Sequence, residues 1–124
     1  MKQHIVFVDD MPQLLQIAEA MLERLGFRVT GFVSSSKALE FLQANLADVD
    51  LVITDQSMPD MTGIDLVQAV IRMPEAPPVV LATSLMYVDR IEDYRELGVH
   101  HLLPKPFSLS DVEHAVTTAL NSTD

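Results

Sequence analysis

Apolar positions fall in short blocks of two alternating kinds along this chain. His4-Ile-Val-Phe-Val8 is a compact, β-branched run and predicts a strand. It stops at Asp9-Asp10, and Pro12 suits the first turn of a helix. Leu14, Leu15, Ala18, Met21, Leu22 and Leu25 follow at helical spacing, with Gly26 as the stop. Phe27 to Gly31 predicts a second, shorter strand. Ser34-Ser-Ser36 offers N-caps for a helix carrying Ala38, Leu39, Phe41, Leu42 and Leu46. Leu51 to Thr54 predicts a third strand, with Asp55 at its end. Thr62 and Asp65 mark the next helix start, with Leu66, Val67, Val70 and Ile71 as its apolar stripe.

Met73-Pro-Glu-Ala-Pro-Pro78 reads as a loop before a wholly apolar strand, Val79 to Ala82. A more polar helix follows over Val88 to Leu97, turning Val88, Ile91, either Tyr94 or Arg95, and Leu97 inward. Gly98 ends it, and His100 to Leu103 predicts a short fifth strand. Ser110-Asp-Val-Glu113 matches a capping box for the last helix, whose stripe is Val112, Ala115, Val116, Ala119 and Leu120. Five βα units in succession predict an α/β fold with a parallel sheet and right-handed crossovers. Helices must cover both faces, which makes a doubly wound three-layer sandwich. The apolar third and fourth strands belong in the centre, and the short second and fifth at the edges. Strand order 2-1-3-4-5 satisfies this. Residues 1–124 read as a single domain.

Composition narrows the function classes. With 48% hydrophobic and 21% charged residues, the chain can fold around a core. No apolar run reaches the roughly 18 residues of a membrane span, and Asp9-Asp10 interrupts any signal-peptide reading. The lack of cysteine excludes disulfides, thiolate metal sites and cysteine nucleophiles, and suits a cytoplasmic setting. A net charge of −10, from 18 acidic residues against 8 Lys and Arg, argues against direct nucleic-acid binding and favours a cation partner.

The topology brings the ends of strands one and three together, so Asp9, Asp10 and Asp55 converge at one sheet edge. Each could be bland alone, since Asp10 could cap the first helix and Asp9 could end its strand. Three converging carboxylates repel unless a hard divalent cation joins them, and all-oxygen ligation describes Mg²⁺. Lys105, stiffened by Pro104 and Pro106, adds a cation at the same rim. Thr83, at the end of strand four, adds a hydroxyl. One carboxylate nucleophile, one metal, one cation and one hydroxyl form a kit for phosphoryl transfer to a carboxylate.

Val8-Asp9-Asp10, Asp55 followed by Met58-Pro59 and Gly63, Thr83, and Lys105-Pro106-Phe107 stand in an order and spacing that resembles receiver domains of two-component response regulators. The resemblance covers essentially the whole chain and implies a flavodoxin-like (βα)5 fold. It implies that Asp55 is the phosphoacceptor, taking its phosphoryl group from a histidine kinase or histidine phosphotransfer protein. Asp10, Asp55 and the backbone carbonyl of Ser57 would ligate Mg²⁺, with Asp9 acting mainly through water. Lys105 would pair with the phosphoryl group, Thr83 would turn in to bind it, and the Lys105-Pro106 bond would be cis. Output would pass to a downstream domain or protein through the face of the fourth helix, fifth strand and fifth helix. Such a domain is regulatory, not an enzyme. Thr54-Asp55-Gln56-Ser57-Met58-Pro59 also resembles receivers joined to hybrid sensor kinases.

This sequence departs from the pattern in places. Leu102 stands where an aromatic usually moves with the Thr, and Ser84 replaces a small apolar residue. Pro104 removes an N–H that an edge strand can spare. Ser57 and Leu85 occupy positions that tune phosphoryl lifetime, and Leu85 cannot orient a hydrolytic water.

Rival readings fit less well. An Mg²⁺-dependent aspartyl phosphohydrolase would place two aspartates one residue apart after the first strand, whereas Asp9 and Asp10 are adjacent. A flavin mononucleotide binder needs a phosphate loop where Asp9-Asp10-Met11-Pro12 would repel phosphate. A non-phosphorylated docking module would not need Asp10, Asp55, Thr83 and Lys105 together. His4, His100, His101 and His114 lack metal-ligand spacing and read as solvated or strand-edge histidines. Tyr87 and Tyr94 read as surface aromatics on the fourth helix.

Overall fold

A computed structural model describes residues 2–84 and 91–121. Five parallel strands, β1 (His4–Val8), β2 (Arg28–Phe32), β3 (Leu51–Asp55), β4 (Val79–Ser84) and β5 (His101–Lys105), form one sheet. Its order is β2-β1-β3-β4-β5, as the hydrophobic pattern predicts. The helices are α1 (Pro12–Arg24), α2 (Ser35–Asn45), α3 (Gly63–Ile71), α4 (Ile91–Glu96) and α5 (Leu109–Leu120), with a 3₁₀ turn at Leu46–Asp48. Leu85, Tyr87 and Val88 lie outside the described residues.

Strand alternation builds two cores. Ile5, Phe7, Leu51, Ile53, Val80 and Ala82 face α1 and α5 through Leu15, Leu22, Val112 and Val116. Val6, Val8, Val52 and Leu81 face the other layer, built by Ala38, Leu42, Leu66, Val70 and Tyr94. β1 and β3 are buried at every position, as strands covered on both sides must be.

Several boundaries and orientations differ from expectation. β2 runs one residue later than predicted, because its register pairs His4 with Arg28 and Val8 with Phe32. β4 and β5 each extend two residues further, so Thr83 and Lys105 lie within strands; Thr83 pairs with Pro104 and Ser84 with Lys105. The last helix starts earlier. Its capping box is Ser108 with Asp111, not Ser110 with Glu113. Both segments fit the motif, and the earlier one captures the chain as it leaves β5. Helix α1 has no side-chain cap: its N-cap is Met11, so Asp10 does not fill that role. Leu14, Ile71 and Leu97 are exposed although their spacing marks them as stripe residues. In α4, Tyr94 and not Arg95 turns inward, which also removes Tyr94 as a surface aromatic.

Candidate functional site

Register assembles the site. Val8 pairs with Thr54, which sets Asp9 level with Asp55 on the neighbouring strand. Asp55 pairs with Ala82, so Thr83 stands one residue beyond on the other side. One oxygen from each of Asp9, Asp10 and Asp55 lies within 4.8 Å of the others. Asp9 and Asp55 are buried and Asp10 is exposed, so the group opens to solvent on one side. Asp9 Oδ1 accepts from the Met11 N–H at 3.0 Å, which fixes the turn out of β1.

Lys105 reaches into this group from β5. Its Nζ lies 3.1 Å from Asp55 Oδ1 and 3.4 Å from Asp9 Oδ2. The Lys105-Pro106 peptide bond is cis, as the resemblance implies. Burial pushes the Asp55 carboxyl above the ordinary carboxylate value, and the nearby Asp9 adds to the rise. Lys105 and the Ser57 N–H pull the other way without cancelling it. Two carboxylates share one ammonium here, so the site is short of positive charge. Three hard oxygen donors in reach of one another fit a small divalent cation such as Mg²⁺. Thr83 is buried on the same sheet edge.

The loop after Asp55 folds back on it. Gln56 donates its N–H to Ala82 O and accepts from the Gly63 N–H through its own carbonyl. The Gln56 side chain accepts from the Ile64 N–H at 2.9 Å. Gly63 therefore sits against the end of β3: a Cβ there would lie 2.5 Å from the Asp55 carbonyl oxygen and 2.6 Å from Leu81 Cδ1. Leu102, on β5, is half-buried against the α2–α3 side of the core. Beside Lys105, the exposed Leu14 and Ile17 join Met21, Pro106 and Phe107 around an open apolar groove of about 460 Å³.

Three features were not anticipated. His4 is buried, not solvated, with Nδ1 2.9 Å from Asp48 O and Nε2 2.7 Å from Thr30 Oγ1. A carbonyl can only accept, so Nδ1 carries a proton. Its place in a doubly covered strand was the available signal. His100 and His114 are exposed and His101 is half-buried, and no transition-metal cluster forms among the described residues. The Gln56 bracket has no signature in sequence. The third is Asp60, bound to the start of α2.

A family model, the response regulator receiver domain, matches residues 5–117. Two-component response regulator ORR8 of Oryza sativa subsp. indica is 35% identical over 111 residues, covering 88% of this chain and 91% of that protein. Transcriptional activator protein PfeR of Pseudomonas aeruginosa is 37% identical over 117 residues, covering 94% of this chain but 37% of its own length. A response regulator receiver domain protein from Clostridium thermocellum has the same fold, with a TM-score of 0.88 at 28% identity; the match covers 96% of this chain and 94% of that one. The chain belongs to the response regulator receiver domain family, and it is a regulatory signalling domain of the two-component class.

Proposed function

We propose that Asp55 is the phosphoacceptor, with Asp9, Asp10, Thr83, Lys105 and the Ser57 carbonyl serving it. The carrying observation is the Lys105 ammonium 3.1 Å from Asp55 within a converging carboxylate group. An Asp55 oxygen attacks the phosphorus of a phosphohistidine. The P–N bond breaks, its electron pair returns to the imidazole, and an acyl phosphate forms. Lys105, already between Asp55 and Asp9, transfers its contact to a phosphoryl oxygen. The Thr83 hydroxyl turns toward the same group. Mg²⁺, held by Asp10, Asp55 and the Ser57 carbonyl, with Asp9 acting mainly through water, would supply the charge that offsets the carboxylates and phosphoryl oxygens.

The donor is a histidine kinase or histidine phosphotransfer protein, docked on the groove between α1 and Phe107 that borders Lys105. Output follows a shift in population of the α4-β5-α5 face, bound by a downstream domain or protein. Leu102 stands on that face in place of an aromatic, so the motion of Thr83 is not tied to a ring. We read all 124 residues as one such domain, a view supported by the family match over residues 5–117, and place it in the cytoplasm.

The test is an NMR titration with beryllium fluoride and Mg²⁺, paired with intact mass after acetyl phosphate. Wild type should shift around Asp55 and gain one phosphoryl group; Asp55→Asn should do neither. An equal response from Asp55→Asn would sink the proposal. Multiple turnover on a generic phosphomonoester would replace it with the hydrolase reading.

A further inference from the structure

The loop joining β3 to α3 is fastened at both ends, and the second fastening comes from a different element. Gln56 ties its start to α3 and β4. Asp60 ties its other end to the head of α2. The Asp60 carboxylate accepts from Ser34 Oγ at 2.8 Å, the Ser36 N–H at 2.9 Å and Ser36 Oγ at 2.7 Å. The Ser35 N–H approaches at 3.3 Å. These donors hold the Asp60 carboxyl far below the ordinary carboxylate range, with the Ser36 N–H the largest cause. The anchor is firm, because α2 is seated on the sheet through Ala38 and Leu42, both fully buried.

Helix capping alone does not account for this. Ser34 already caps α2, its Oγ accepting from the Lys37 N–H. The Asp60 bonds instead join two elements about 25 residues apart in sequence. Only Ser57, Met58 and Pro59 separate the two fastened points, and Met58 is buried between them. The Ser57 N–H favours the ionised Asp55 carboxylate against its burial. The Ser57 carbonyl is the proposed backbone ligand.

We propose that Asp60, clamped by Ser34 and Ser36, is a positioning residue that holds the Ser57 backbone in place for the acceptor site. This rests on the phosphoacceptor reading above. It acts through the loop, since Asp60 itself is three residues beyond Ser57. An ionised carboxylate among neutral donors makes the clamp strong, and loss of one side frees three residues at once.

The experiment measures Mg²⁺ affinity by calorimetry and by amide shifts of Asp55 and Ser57, alongside thermal stability. Asp60→Ala should weaken Mg²⁺ binding about tenfold, in the range of other supporting shells. Asp60→Asn keeps an acceptor and should recover part of the loss. Ser36→Ala should weaken binding in the same direction, and combining it with Asp60→Ala should add nothing further. Ala119→Gly opens the α1–α5 core on the opposite face of the sheet, away from the clamp; it should lower the melting temperature and leave Mg²⁺ affinity unchanged. Should Asp60→Ala only lower the melting temperature, with wild-type Mg²⁺ affinity, Asp60 is a helix cap and the inference falls. If Asp60→Ala does not fold, Ser36→Ala decides by the same measure. A wild type that binds no Mg²⁺ overturns the phosphoacceptor reading itself, before any Asp60 variant is compared.

Discussion

Burial makes ionisation of Asp55 costly. Its folded-state pKa lies above the unfolded value of about 3.8, chiefly through burial. The folded chain therefore binds this proton more tightly than the unfolded one, and stability falls as pH rises through the window above 3.8. The penalty is absent below that window and complete above it. Asp55→Asn should accordingly melt a few degrees higher than wild type at neutral pH in chelator. Lys105 keeps Asp9 as a partner in that variant. The difference should shrink as pH falls toward 4. A difference constant with pH, read by thermal melts, would show that packing and not charge is responsible. Gly63 makes the neighbouring demand on space. Gly63→Ala brings a methyl against the Asp55 carbonyl and Leu81, so about 1–3 kcal/mol of stability should be lost in urea titrations. An unchanged midpoint would mean that α3 slides away freely.

The elements were legible to different depths, for physical reasons. Strand identity and order followed from apolar runs, because a doubly covered parallel strand must be apolar on both sides. Asp9, Asp10, Asp55 and Lys105 came together because they sit at strand ends, where register leaves little freedom. Helix faces were less legible. Spacing places Leu14 beside Leu15 and Ala18 in α1, yet it is exposed, and Ile17 is too. Periodicity marks residues that can share a face, but neighbouring elements decide which are covered. The early capping box at Ser108 shows the same ambiguity, two matching motifs two residues apart. The Asp60 clamp was invisible because it joins loop to helix by side chains with no spacing rule. The exposed part of α1 carries its own prediction. Ile17→Glu places a charge in the groove beside Lys105 without touching the core. Phosphotransfer from a phosphohistidine protein should slow at least tenfold, while acetyl phosphate should label Asp55 at the wild-type rate. Equal slowing of both donors would place the effect in the acceptor site and remove the groove as a docking surface.

For the whole molecule, charge makes metal binding visible in stability. A net charge of −10 destabilises the folded state by self-repulsion, and three of those carboxylates crowd one sheet edge. Any salt relieves the diffuse part of this repulsion. Only a bound ion relieves the local part. A ligand of the folded state alone stabilises by RT ln(1 + [L]/Kd), so each tenfold rise in Mg²⁺ above Kd adds about 1.4 kcal/mol. For a domain of this size that is roughly 3–6 °C in melting temperature. Wild type should therefore climb steadily with Mg²⁺ at fixed ionic strength, whereas Asp10→Ala should show only the small change that KCl produces. The contrast matters because Asp10 is exposed and caps no helix, so its loss leaves the fold intact. Parallel melting curves for the two proteins across the titration would mean that Mg²⁺ merely screens the acidic surface. The carboxylate group would then stand without the cation that its geometry invites.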